Sequence, residues 1–180
     1  MHPDCERILF TKEEIDCKIG EIASRLNEDY KDKEPLVICI LKGSLIFCSD
    51  LIRRFTFPIA LDFMKVSSYG ASTVSGELHI KQGLTADVKD RDLIVVEDIV
   101  DSGKTLYFLK SYLLREGARS VKTVTLLDKP ERRRFPMQSD YTCFEIEDEF
   151  VIGYGLDYAE RYRNLPYVGI LKRSVYEKSL

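Results

Sequence analysis

Residues 92–105 read DLIVVEDIVDSGKT: an apolar run, adjacent carboxylates at Glu97 and Asp98, a third at Asp101, and then Ser102-Gly103-Lys104-Thr105. Leu93 to Val96 is apolar on both faces, which suits a strand in a parallel sheet covered by helices. Leu106, Leu109, Leu113 and Leu114 follow at helical spacing and Gly117 supplies a stop, so a helix spans residues 103–116. Asp101 to Thr105 therefore sits where a buried strand gives way to a helix. Unpaired backbone N–H groups and the positive end of the helix dipole favour an anion there. Gly103 allows a close backbone approach, and Ser102 and Thr105 offer hydroxyls to phosphate oxygens. The side chain of Lys104 carries less weight than the backbone beneath it. A nucleoside-triphosphate loop ending in Gly-Lys-Thr needs a glycine five positions before Gly103, where this chain has Asp98. That disfavours a triphosphatase.

The pattern extends in both directions. Thr11-Lys12-Glu13-Glu14 forms a capping-box sequence, and Ile15, Ile19, Ile22 and Leu26 mark the inner face of a helix over 12–29. Pro35 opens an apolar strand, 36–41, which Lys42-Gly43 breaks. A helix over 44–54 follows, carrying Leu45, Ile46, Leu51 and Ile52. The next strand is 58–66, with Leu61, Phe63 and Val66 on one face. The stretch SSYGASTVSGE, 67–77, is small, polar and glycine-containing, the composition of a mobile loop. Strands at 78–82, 121–127, 150–153 and 167–171 complete the series. Alternating strands and helices imply an α/β fold, a mainly parallel sheet flanked by helices, in one domain over residues 1–180. Ligands in such sheets lie outside the carboxyl ends of the strands. Attention falls on Lys42-Gly43, 97–105, Lys129 and the stretch after Val151.

Composition narrows the function. The 180 residues are 44% hydrophobic and 32% charged with a net charge of −3, so no global basic field recruits nucleic acid or an anionic membrane. No apolar run has a membrane span's length, and the N-terminus MHPDCERILF is too polar for a signal peptide. Five cysteines without a Cys-x-x-Cys pair read as reduced thiols of a cytoplasmic protein. Cys39 and Cys48 lie in apolar stretches and read as packing. His2 and His79 do not have the spacing of a zinc site.

Glu97 and Asp98 beside a phosphate loop present acceptor-only side chains suited to a diol such as the 2′- and 3′-hydroxyls of ribose. Asp101, inside the loop, is placed to exchange a proton with a group lying over that ribose. The stretch Val95 to Thr105 resembles the signature of the phosphoribosyltransferases, and Glu-Asp-x-x-Asp-Ser-Gly-x-Thr resembles the hypoxanthine-guanine branch in particular. The resemblance runs from about Ile8 to Lys172 through Leu41-Lys42-Gly43-Ser44, Ser67-Ser68-Tyr69-Gly70, Lys129 and Phe150 to Tyr158.

The resemblance implies a type I phosphoribosyltransferase fold with a twisted sheet, a small hood and a mobile lid at Ser68 and Tyr69. It also implies magnesium-dependent transfer of ribose 5-phosphate from 5-phosphoribosyl 1-pyrophosphate to a 6-oxopurine. On that basis Asp101, Ser102, Gly103, Lys104 and Thr105 wrap the 5′-phosphate, Glu97 and Asp98 face the ribose, and Asp101 is the general acid/base. Lys42, Gly43 and Arg163 take the pyrophosphate, and the Leu41–Lys42 peptide is cis. Lys129, Phe150, Val151 and Asp157 meet the purine, while Glu97, Asp98 and Asp157 are the positions toward Mg²⁺. The resemblance further implies a homodimer or homotetramer. Two rival readings remain: a nucleic-acid-binding regulator on the same fold, favoured only by Arg132-Arg133-Arg134, and a transferase for another base. A lysine only donates, so Lys129 disfavours adenine but leaves xanthine open.

Overall fold

The computed structural model describes residues 1–67 and 79–177. Helix α1 (Lys12–Asp29) starts on a closed capping box: the Glu14 amide donates to Thr11 Oγ1 at 3.2 Å, and Glu14 Oε2 accepts from the Thr11 amide at 2.8 Å. A short strand, β1 (Cys5–Phe10), precedes it. The chain then alternates through β2 (Leu36–Leu41), α2 (Leu45–Ile52), β3 (Ala60–Ser67), β4 (His79–Gln82), β5 (Asp92–Val100), α3 (Lys104–Arg115) and β6 (Ser120–Asp128). After a 3-10 turn at Pro130–Arg132 come β7 (Tyr141–Glu145), β8 (Val151–Ile152), β9 (Val168–Leu171) and α4 (Arg173–Tyr176).

The main sheet has the order β4-β3-β2-β5-β6-β7, parallel throughout except for the antiparallel edge strand β4. Its central strands pack on both faces. In β2, Val37 and Cys39 join one apolar cluster and Leu36, Ile38 and Ile40 the other; β5 divides Ile94 and Val96 from Leu93 and Val95 in the same way. Helices α1 and α2 cover the first face through Ile15, Ile19, Ile22, Leu26, Phe47 and Leu51. Helix α3 covers the second through Leu106, Leu109 and Leu113. Full burial of each such Leu or Ile contributes about 1.5–3 kcal/mol. β1, β9 and β8 make a separate antiparallel sheet, the hood, with Val151 opposite Ile170. Val151 and Val168 tie it into the first cluster.

Several expectations need correcting. Leu114 is exposed, because it stands about 80° around the helix from the stripe that Leu106, Leu109 and Leu113 point inward. Leu45 is also exposed, and Phe47 and Cys48 bury the face of α2 instead. In β3 the deepest residue is Met64, which shares the second cluster with Val66. Phe63 joins the first cluster and Leu61 lies open, so Leu61, Phe63 and Val66 do not share one buried face. Strands β1 and β7 have no counterpart in the sequence reading. The expected lid positions Ser68 and Tyr69, with residues 70–78, lie outside the described residues.

The topology decides where a ligand can sit. From β2 the chain crosses to β3 on one side, and its next parallel strand, β5, lies on the other side of β2. The order of the sheet thus reverses between β2 and β5, which leaves a crevice at their carboxyl ends. Lys42-Gly43 leaves one of these strands, and Glu97 to Thr105 ends the other.

Candidate active site

The loop after β5 is built for an anion. Gly103 sits at φ +79°, which a side chain would disfavour, and is the N-cap of α3 with no side-chain cap bond. The loop is gripped from outside: the amides of Arg134 and Phe135 donate to the Ser102 carbonyl at 3.0 and 3.1 Å. Arg133 Nη1 donates to the Asp101 carbonyl at 2.8 Å, while its other nitrogen pairs with the buried Asp128. With those carbonyls engaged from outside, Asp101 to Thr105 lines a cleft of about 530 Å³ that also takes in Arg132, Arg133, Arg134 and Asp148.

Beside it lies a hollow of about 390 Å³ lined by Lys42, Gly43, Glu97, Asp98, Asp157 and Arg163. The two share Ile99 and Thr105. Glu97 and Asp98 fall within β5 rather than beyond its end, and both line this hollow with their carboxyl groups close enough to interact. Glu97 is buried; that burial, followed by the neighbouring charge of Asp98, pushes its carboxyl well above the usual range. Asp98 Oδ1 accepts from the Ile99 amide at 3.0 Å. Its other oxygen presses on Gly43, where an added Cβ would lie 1.7 Å away. The Leu41–Lys42 peptide is cis, in line with expectation.

Asp157 and Arg163 close the far side. Arg163 Nη2 pairs with Asp157 Oδ1 at 2.7 Å, and Nη1 donates to the Gly155 carbonyl at 2.8 Å; its Nε is buried without a partner. Gly155, at φ +101°, lets this turn meet the other loop, since a Cβ there would lie 2.0 Å from the Gly43 carbonyl.

Lys129, Phe150 and Val151 line neither hollow. Lys129 is buried, its amide donating to the Val100 carbonyl at 2.8 Å and its Nζ to the Glu149 carbonyl at 2.7 Å. Its link to the cleft is indirect: Nζ lies 3.4 Å from Asp148, which Arg132 joins to Asp101. Phe150 is 39% exposed, so it is not a core aromatic. Its ring stacks on Tyr176 at 5.1 Å and meets Tyr158 edge-on at 5.4 Å. Val151 is buried in β8.

Residues outside the sequence reading also belong to the site. Arg132-Arg133-Arg134, which the sequence offered only in favour of a nucleic-acid-binding regulator, forms the outer wall of the cleft beside the 101–105 loop. Arg132 Nε contacts Asp101 Oδ1 at 2.6 Å and Nη1 holds both oxygens of Asp148 at 3.0 and 3.1 Å. Asp148, then Asp101, raise the Arg132 guanidinium, and Arg132 in turn lowers the Asp148 carboxyl. Glu160 is the other addition, paired with Lys42 at 2.9 Å, which lowers its carboxyl. The signal available was position: the arginines follow the carboxyl end of β6, and Glu160 stands between two expected site residues.

Among the described residues no group of three or more His, Cys, Asp or Glu side chains converges as a metal centre. Asp98 and Asp157 do line one hollow with two cations, and two carboxylates completed by substrate phosphates are a normal donor set for Mg²⁺. The cysteines are all free, and Cys39 and Cys48 are buried as expected.

Comparison with known proteins bears on this arrangement. Residues 8–159 match the family model described as the phosphoribosyl transferase domain. Over 178 residues the chain is 50% identical to the hypoxanthine-guanine phosphoribosyltransferase of Bacillus subtilis, covering 98% of this chain and 99% of that one. It is 49% identical to the bifunctional protein TilS/HprT of Listeria monocytogenes, over 99% of this chain but 28% of that longer protein. Among solved structures, a hypoxanthine phosphoribosyltransferase from Staphylococcus aureus superposes with a TM-score of 0.94 at 44% identity, covering 98% of this chain and 96% of that one. An anion loop, a paired carboxylate and a second cationic loop at one switch point thus coincide with a match along nearly the whole chain, which belongs to the phosphoribosyltransferase family.

Proposed function

We propose that this protein salvages purines by transferring ribose 5-phosphate from 5-phosphoribosyl 1-pyrophosphate to N9 of hypoxanthine or guanine, releasing pyrophosphate. One observation carries the reading. Two hollows meet at Ile99 and Thr105, one walled by the 101–105 loop and the other by Lys42, Gly43 and Arg163, with Asp98 in the second. A sugar bearing a phosphate at one end and a pyrophosphate at the other fits that pair of anion sites, its hydroxyls toward the carboxylates.

The chemistry follows from charge. As the bond from C1 to pyrophosphate breaks and the bond to N9 forms, the ribose gains oxocarbenium character. Lys42, the amide of Gly43 and Arg163 accept the charge of the departing pyrophosphate. The purine's N7 proton passes to Asp101, once Arg132 has released that carboxylate. Lys129 Nζ donates to O6 of the base, exchanging its bond to the Glu149 carbonyl, while Phe150 offers a ring face and Val151 its backbone. Magnesium held by Asp98 and Asp157 would neutralise the pyrophosphate oxygens, with Glu97 behind them. Ser68 and Tyr69 would cover the site and exclude water.

We place the chain in the cytoplasm as a homodimer or homotetramer of one-domain subunits; the free thiols support a reducing compartment. Among the described residues no helix is long and apolar enough to cross a membrane. Engagement of Arg132 and Arg133 with Asp101, Asp148 and Asp128 argues against a nucleic-acid-binding regulator. Offering hypoxanthine, guanine, xanthine and adenine separately, with the sugar donor and Mg²⁺, tests the reading. Nucleotide forms from hypoxanthine or guanine and not from adenine; turnover of adenine, or of no base, refutes it.

A further inference from the structure

Glu160 occupies an unusual place. Its Oε2 accepts from Lys42 Nζ at 2.9 Å and lies 3.5 Å from Arg163 Nη2, so one carboxylate oxygen lies between the cations of two different loops. Those two cations are the ones assigned to pyrophosphate above, and the inference rests on that reading. Stability does not account for the arrangement. The Glu160 side chain is 65% exposed and Lys42 49%, and exposed ion pairs contribute little to folding. The backbone is also held unfavourably: Ala159 and Glu160 lie at φ +51° and +62°, two successive left-handed residues without a glycine. The Glu160 amide donates to Asp157 Oδ2 at 2.9 Å, which fixes the turn against the hollow.

We infer that Glu160 is an internal counter-anion, a carboxylate that stands in for a pyrophosphate oxygen in the free protein and must be displaced when pyrophosphate or the sugar donor binds. Displaced but tethered, it remains beside a second anion and favours release of the product. Glu160 is therefore an affinity-setting residue: it weakens binding of the ligand whose site it borders. A residue that contacts the ligand would do the reverse, so the sign of the effect separates the two.

The test is calorimetric titration of inorganic pyrophosphate, with Mg²⁺, into the full-length protein and into Glu160→Gln, Lys42→Met and Arg163→Lys. Glu160→Gln binds about two- to fivefold more tightly, the equilibrium equivalent of an exposed ion pair, and the difference shrinks at high salt. Lys42→Met and Arg163→Lys bind more weakly. Unchanged or weaker binding by Glu160→Gln, with both cation variants impaired, overturns the counter-anion and leaves the pyrophosphate assignment standing. Wild-type binding by both cation variants removes that assignment, and the inference falls with it.

Discussion

Arg133→Met would remove the side chain that holds the 101–105 loop from outside. Arg133 pairs with Asp128, whose side chain is 5% exposed, and reaches the Asp101 carbonyl at 2.8 Å. Methionine fills much of the volume but leaves Asp128 charged, buried and unpaired. Breaking a buried pair in this way costs about 3–5 kcal/mol. For a chain of this length each kcal/mol moves Tm by about 2–4 °C, so Tm falls by about 6–20 °C. Adding Asp128→Asn removes the stranded charge and recovers part of the loss, with a coupling of about 1–3 kcal/mol. The kinetic signature is separate: the loop loses its outer grip, so KM for the sugar donor rises more than KM for the base. Scanning calorimetry of both single variants and the double variant, with initial rates for each, checks the argument. A Tm unchanged from wild type in Arg133→Met, or no recovery in the double variant, refutes it.

Three further outcomes follow from other contacts. Gly43→Ala places a Cβ 1.7 Å from Asp98 Oδ2, which must move, and initial rates fall on the order of 10²-fold with the fold retained by circular dichroism. Lys129→Met removes the donor proposed for O6, so kcat/KM for hypoxanthine drops by about 10- to 100-fold while adenine fares no worse. Asp62 accepts the amides of Phe63, Thr85 and Ala86 at 2.7, 2.7 and 2.9 Å; burial raises its carboxyl, but those bonds outweigh it and the net shift is down from 3.8. A lowered carboxyl stabilises the fold above its unfolded value and loses that contribution as pH falls through the lowered one. Asp62→Asn therefore costs about 1–3 kcal/mol at neutral pH, and its deficit closes below about pH 4 in urea melts.

The sheet's central strands were legible because parallel strands buried on both faces must be apolar throughout, as Leu36 to Leu41 and Leu93 to Val96 are. The strand–helix junction at 101–105 was legible because five consecutive residues carry it between two apolar patterns, and the fold places those residues on a cleft. β1 and β7 were missed for opposite reasons. CERILF mixes charge into a strand whose partner, β9, lies some 160 residues away, and YTCFE is a short edge strand behind an irregular segment. Arg132, Arg133 and Glu160 escaped because a charged residue reads as solvated until its partner's place is known. Asp101, Asp128 and Lys42 reach them only through the fold.

The central claim is that the two adjoining hollows hold the two ends of one sugar donor. A crystal structure with magnesium and 5-phosphoribosyl 1-pyrophosphate tests it most directly. The account predicts the 5′-phosphate on the amides of 102–105, the ribose hydroxyls toward Asp98, and the pyrophosphate at Lys42, Gly43 and Arg163 with Glu160 displaced. A donor bound with its ends exchanged, or outside both hollows, would contradict it.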